Sequence, residues 1–225
     1  MNRAQALWRS SAGKKAVMAV TGVILFGFVL VHMLGNLKMF LGSVHFNEYS
    51  HFLRVVGAPL VPEHVLLWVA RIILLAAVVL HIHAAYALTM MNREARPVGY
   101  QNRGYVKASY ASRTMRWGGV IIFLFVVYHI LHLTTGNVHP AFVEGDAYGN
   151  LVKGLRIWWV AAFYLVANLA LGLHLYHGVW AMFGSVGLTS PRFESWRRNF
   201  ATVFAAIVTL GNLSFPIAIL TGFVR

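Results

Sequence analysis

Five long apolar stretches alternate with short polar connections along the chain: about 17–41, 62–90, 116–138, 156–184 and 200–223. A helix needs ~20 mostly apolar residues to cross the hydrocarbon of a bilayer. Inside lipid the backbone must satisfy its own hydrogen bonds, which favours a helix over any open strand. The pattern therefore predicts an all-α integral membrane protein, with five transmembrane helices in one domain over residues 1–225. The second and fourth stretches exceed what a span requires and are expected to tilt or project. Gly57, Pro59 and Pro62 precede the second stretch, Pro97 and Gly99 follow it, and Pro191 precedes the fifth. These are turn-forming residues at the expected breaks. Pro216 lies within the fifth stretch and is expected to kink it. Neither an internal repeat nor a low-complexity tract is evident.

Composition sharpens the class. The chain is 59% hydrophobic and 11% charged, where a soluble chain carries about 25% charge. Its net charge of +13 comes from 19 Lys+Arg against 6 Asp+Glu. The basic residues flank the apolar stretches, so topology and contact with anionic lipid explain them without nucleic acid. One side would hold Arg3, Arg9, Lys14 and Lys15, the six cations of the 92–116 loop, and Arg192, Arg197 and Arg198. The other holds only Lys38, Arg54, Lys153, Arg156 and Arg225. The positive-inside rule then places the N-terminus in the cytoplasm and the C-terminus outside. No cleavable signal is evident, and the first apolar run is long enough to remain as a span. Cysteine is absent. That excludes a thiolate-held iron–sulfur cluster, covalent c-type haem and any disulfide within this chain.

The chemistry lies in the histidines. His32, His81, His129 and His174 sit deep in four of the five stretches. An ionisable residue at such depth is a functional hypothesis by default. The first and third spans run outward and carry His32 and His129 roughly 20 Å along, in the outer half. The second and fourth run inward and carry His81 and His174 on the order of 25 Å along, in the inner half. The four sort into two pairs by depth. A single buried histidine is ordinarily a hydrogen-bonded structural residue. Four of them, on four helices at two matched depths, point instead to axial ligation of two haems between facing helices. Three choices stay open: His81 or His83, His129 or His132, and His174 or His177. Helical phase keeps both members of any such couple from serving one iron. His45, His51, His64 and His139 are expected to be solvated, in outer loops or at a span end.

Several local motifs also carry a resemblance. They are Thr21-Gly22; His32-Met33-Leu34-Gly35-Asn36-Leu37; Phe46-Asn47 with Phe52-Leu53; Leu80-His81-Ile82; and Asn92-Arg93 with Ala95-Arg96. Tyr128-His129 and His174-Leu175-Tyr176-His177-Gly178-Val179-Trp180 complete them, followed by Gly187-Leu188 and Pro191-Arg192. Over nearly its whole length the chain resembles the membrane-anchor cytochrome b subunit of succinate:quinone oxidoreductases, in the single-subunit, five-helix, dihaem class (cytochrome b558 type). The resemblance implies a haem-binding bundle of the first four helices and two haem b. The outer, distal haem would be held by His32 and His129, the inner, proximal one by His81 and His174. Some relatives have a motif closer to His83-Ala84, which leaves the second ligand the least secure.

The same resemblance implies a subunit of succinate dehydrogenase or fumarate reductase in a bacterial cytoplasmic membrane. A flavoprotein and an iron–sulfur protein would dock on the cytoplasmic face. Electrons would pass between the iron–sulfur subunit and membrane quinone, expected to be menaquinone, in either direction. The succinate site would lie on another subunit.

Other residues are candidates for the propionates or the quinone. Arg71 is expected to pair with a distal-haem propionate, unless it snorkels to the interface. Arg113 and Arg116 begin the third span near the proximal site, with Ser109, Tyr110 and Ser112 beside them as weaker candidates. The cations of the 92–116 loop suit an acidic partner surface or plain topology equally well. Glu63, at the outer start of the second span, falls in a region where the family uses an acid for quinol protons, but its surroundings do not match that motif. Trp68, Trp117, Trp158, Trp159 and Trp180 fit interfacial belts. Gly22, Gly27 and Gly172 read as close-packing positions. Two competing readings share this pattern: the quinone-reacting cytochrome b of a hydrogenase or formate dehydrogenase, and a haem-free transporter with a histidine relay. The transporter reading lacks the intramembrane carboxylates and broken helices expected of it.

Overall fold

The computed structural model describes residues 2–95, 110–185, 187, 188 and 190–225, with the backbone alone for Arg3, Ala4, Leu7 and 110–114. Within them the order is α1 (Arg3–Arg9), α2 (Ser11–Asn36), α3 (Ser43–Val55), α4 (Val65–Glu94), α5 (Tyr110–His129), α6 (Ala147–Leu155), α7 (Trp158–Ser185) and α8 (Pro191–Leu220). A 3₁₀ turn, Leu37–Leu41, extends α2, and a π-helical turn, Ile130–Thr134, extends α5. Among the described residues there is no strand. Five helices are long and apolar enough to cross a membrane: Ser11–Leu41, Val65–Glu94, Met115–Thr134, Trp158–Ser185 and Pro191–Leu220. The protein is an all-α, multi-pass membrane protein.

Span boundaries depart from expectation where polar residues are helical. The fifth helix starts at Pro191, nine residues before its apolar run. Proline suits the first helical turn because its missing N–H needs no partner there. Glu194 then pairs with Arg197 at 2.6 Å and Arg198 at 3.1 Å, three and four residues on. The stretch expected to be a basic loop is thus largely the first turns of α8. The third span ends earlier than expected, because the backbone leaves the helix after the π turn. Pro216 is buried inside α8, and the helix runs on to Leu220.

In lipid, helices gain little from hiding apolar surface from one another, so close contact depends on small residues and van der Waals packing. That requirement decides which helices pack. Ala161 and Ala167 on α7 and Ala201 and Ala205 on α8 are buried, and the two helices pack closely along their length. A Cβ on Gly172 would collide with Thr209 of α8, and one on Gly211 would collide with Met33 of α2. Both are packing glycines, as expected for Gly172. Helix α4 packs on α2, burying Ala77 and Ala84, and α5 packs on α7. The result is two helix pairs, α2/α4 and α5/α7, with α2 also touching α7 and α8. Among the described residues α4 and α5 make no substantial contact with each other. The four helices therefore meet around a seam that α4 and α5 do not close by packing on each other.

The ends of the bundle are built differently. On the N-terminal side, Lys14 Nζ lies 3.8 Å over the Trp8 ring and 3.3 Å from His83 Nε2, tying α1 and α2 to α4. On the far side, α3 and α6 form a polar cap. Asp146 caps α6 by accepting from Gly149 N–H at 2.9 Å, and Asn47 of α3 donates to the same carboxylate at 3.1 Å. Tyr148 donates to the Arg225 carbonyl at 3.2 Å, which places the C-terminus against this cap.

Candidate functional site

The four intramembrane histidines meet in two pairs across the seam. His32 of α2 faces His129 of α5, with ring centroids 5.9 Å apart and planes at 89°. His81 of α4 faces His174 of α7, with centroids 6.3 Å apart and planes at 59°. Each pair joins a helix of one packed couple to a helix of the other. All four rings are half-buried.

Three helices give the separation of the two levels. On α2, Thr21 touches His81 while His32 belongs to the other pair. On α5, the Cβ position of Gly119 lies 3.9 Å from His174 Cε1, ten residues before His129. On α7, Tyr164 contacts His129, ten residues before His174. At ~1.5 Å per residue, the levels stand about 15–16 Å apart along the bundle. The pair His81/His174 is nearer the N-terminal side and His32/His129 nearer the cap. Depth along the sequence ordered them the same way.

Spacing decides what such pairs can do. A metal–imidazole nitrogen bond is about 2 Å long, so two rings bound end-on to one metal hold their centroids roughly 6 Å apart. Both pairs meet that figure. Among the described residues no cluster of three or more His, Cys, Asp or Glu forms that could hold a metal ion. Each pair could supply two imidazole donors, so a metal held there would need its remaining ligands from a bound group.

Hydrogen bonds fix the tautomer on the near side. Thr21 Oγ1 donates to the Val17 carbonyl at 2.7 Å and lies 3.1 Å from His81 Nδ1. With the hydroxyl proton given to a backbone carbonyl, the second contact is a hydrogen bond when Nδ1–H donates it. His81 then presents Nε2 as an open lone pair, the state a ligand needs. Gly22 keeps the neighbouring wall low: its Cβ position lies 3.7 Å from His81 Cε1. The site positions at Gly27 and Gly178 have no neighbour within 4 Å.

The alternative histidines are placed elsewhere. His83 is exposed, stacks on Trp8 at 6.1 Å and meets Lys14. His177 packs on Trp180 at 5.8 Å. His132 is 0% exposed and stacks on His139 at 4.9 Å. Geometry thus brings together His32, His81, His129 and His174, and leaves the other three outside the pairs.

His139 corrects an expectation. It is buried rather than solvated, because Ala141 N–H donates to its Nδ1 at 3.0 Å and its Nε2–H donates to the Asn150 carbonyl at 2.9 Å. The short cap helix α6, which the apolar pattern does not signal, covers it. His45, His51 and His64 are exposed as expected.

Of the arginines, Arg71 is exposed, with its guanidinium 4.9 Å over the Trp68 ring. The Arg113 side chain lies outside the described residues, as do those of Tyr110 and Ser112, together with Arg96, Tyr100, Arg103, Lys107 and Ser109. Arg116 is exposed and lines, with Thr89, Asn92 and Arg93, an open pocket of about 270 Å³ where α4 and α5 diverge. It sits three residues from Gly119, about one helical turn from the His81/His174 level.

Two participants were missed in the sequence. Thr21 stood there as a motif residue without a role. Tyr164 belongs to none of the motifs; its signal is its mid-span position, where a tyrosine needs a partner for its hydroxyl. Comparison with known protein families, with curated proteins and with solved structures finds no match.

Proposed function

We propose that this protein is a dihaem cytochrome b subunit that carries electrons through the membrane between an iron–sulfur partner and quinone, in the manner of a succinate:quinone oxidoreductase anchor. One observation carries the reading: two opposed imidazole pairs at axial-ligand spacing, about 15–16 Å apart along the bundle. His81 and His174 would hold the haem nearer the N-terminal side, and His32 and His129 the one nearer the cap. Bound haem supplies a one-electron ferric/ferrous couple.

The chain's own residues do the rest. Helix pairs α2/α4 and α5/α7 carry the facing rings at centroid distances of 5.9 and 6.3 Å. Thr21 orients His81. Arg93 and Arg116, which line one open pocket, would counter acidic groups such as propionates or a partner's carboxylates. With the N-terminal side in the cytoplasm of a bacterial cell, a flavoprotein and an iron–sulfur protein would dock there, and menaquinone would exchange electrons with the haems.

The test is direct. Full-length protein from a haem-sufficient host should yield two haem b per chain by pyridine haemochrome. His174→Ala should retain one, and the subunits that co-purify should include a flavoprotein. Natively folded protein with no haem would end the proposal. A hydrogenase or formate dehydrogenase in place of the flavoprotein would move the chain to another respiratory complex while keeping its haems.

A further inference from the structure

Behind His129 lies a buried polar chain that electron transfer does not call for. Tyr164 is 5% exposed in mid-α7. Its hydroxyl lies 3.2 Å from His129 Nδ1 and 2.9 Å from His132 Nδ1. One hydroxyl carries one proton, so it donates to one imidazole and accepts from the other. Two arrangements satisfy the pair of bonds, and they assign opposite tautomers to His129.

We propose that Tyr164 is a positioning residue that holds His129 with Nδ1 protonated, and that His132 commits it to this role by accepting the Tyr164 hydroxyl hydrogen bond. The inference rests on the dihaem reading, since iron at Nε2 of His129 leaves the proton on Nδ1. Tyr164 oxygen then accepts, and its O–H points to His132. This direction requires His132 to carry its own proton on Nε2, a buried atom with no hydrogen-bond partner among the described residues. The protein keeps that orphan in place by rigid packing. The His132 ring stacks between Tyr128 at 5.3 Å and His139 at 4.9 Å. The backbone of α6 closes the remaining side at Gly154, where a Cβ would come within 2.6 Å of the ring. His139 is itself locked at both nitrogens by Ala141 and Asn150. The π turn that carries His132 opens directly after His129, and such turns cluster at functional sites.

A ligand imidazole whose second N–H is held by an acceptor is a stronger donor with a fixed ring orientation. It favours ferric over ferrous iron. Removing the acceptor should therefore raise the potential of one haem and leave the other unchanged. The near pair offers an internal reference: His174 shares α7 with Tyr164, but the hydrogen bond at His81 goes to Thr21 and shares no residue with the Tyr164 chain.

Tyr164→Phe keeps the ring and deletes the hydroxyl. His132→Leu removes the second member of the chain. Each is to be prepared as full-length protein and compared with wild type by haem content, potentiometric titration and low-temperature electron paramagnetic resonance. With two haems retained, Tyr164→Phe should raise one midpoint through a roughly tenfold change in ferric over ferrous preference, about 59 mV for a one-electron couple. The low-spin ferric signal of that haem alone should move, and His132→Leu should shift the same transition in the same direction by less. Selective loss of the cap-side haem from Tyr164→Phe would also support the role. Unchanged potentials and spectra in both variants, or equal shifts of both haems, would overturn it while the two-haem content kept the dihaem reading alive. Haem-free wild type would instead remove the reading on which the inference stands.

Discussion

Thr21→Val tests whether the near site depends on a tautomer set from the neighbouring helix. Thr21 is 4% exposed, and its hydroxyl stands 3.1 Å from His81 Nδ1. Valine replaces the hydroxyl with a methyl of similar size, so helix packing changes little and one acceptor disappears. A buried N–H left without a partner costs about 1–3 kcal/mol. Expressed as ligand affinity, that is roughly a 5- to 150-fold loss, in line with the ~10–100-fold typical of groups that orient a metal-binding histidine. The assay is transfer of haem from detergent-solubilised protein to an excess of apo-globin. It is run in a His129→Ala background, so that only the near haem remains. Thr21→Val should release it at least several-fold faster, and Thr21→Ser, which restores the hydroxyl, should return the rate toward that of the parent. An unchanged release rate in Thr21→Val would refute the argument that Thr21 sets the ligand state of His81.

Two further outcomes concern the cap. Gly154→Ala would place a Cβ 2.6 Å from His132 and 3.1 Å from His139 Nε2; overpacking of this kind costs about 1–3 kcal/mol, so thermal unfolding in detergent should begin earlier, and an unaltered transition would show that the rings give way freely. The Asp146 carboxyl is held below its ordinary range, first by the Gly149 N–H and then by the Asn47 amide. A depressed carboxylate stabilises the fold above its unfolded value of ~3.9 and loses that contribution as pH falls through the lower folded value. Amide exchange across α6 should therefore accelerate on acidification below about pH 4, and Asp146→Ala should make it fast at neutral pH as well. Exchange insensitive to both changes would remove Asp146 from the cap.

The architecture was legible because each part of it is repeated many times in the sequence. Five apolar runs fix five helices, and the direction of each run sorts His32, His81, His129 and His174 into two levels. What the runs could not resolve was rotation about each axis. His129 and His132 are both apolar-face candidates by spacing, and only the contacts of His129 with His32 and of His132 with Gly154 and His139 separate a ring in the seam from one packed under α6. The start of α8 was hidden for another reason. Charged first turns look like a loop to any hydropathy argument, although Glu194, Arg197 and Arg198 stand at helical spacing. His139 was misplaced because a nine-residue cap helix has too short an apolar face to announce itself.

The two histidine levels are not equivalent, and the difference follows from what lies behind each ring. At the near level, His81 leans on Thr21, and His174 Nδ1 is buried without a hydrogen-bond partner among the described residues. Support there is helix against helix. At the far level, His129 is tied through Tyr164 to His132, which packs on His139, which is bonded to α6. Helix α6 is tied in turn to α3 through Asn47 and Asp146. A disturbance of the cap therefore has a packed route to one ring and none of comparable directness to the other. If the pairs hold haems, substitutions at Asn47 or Asp146 should perturb the spectrum of the cap-side haem before that of its partner. The order reversed, or both spectra altered together, would mean that the route through Tyr164 transmits nothing.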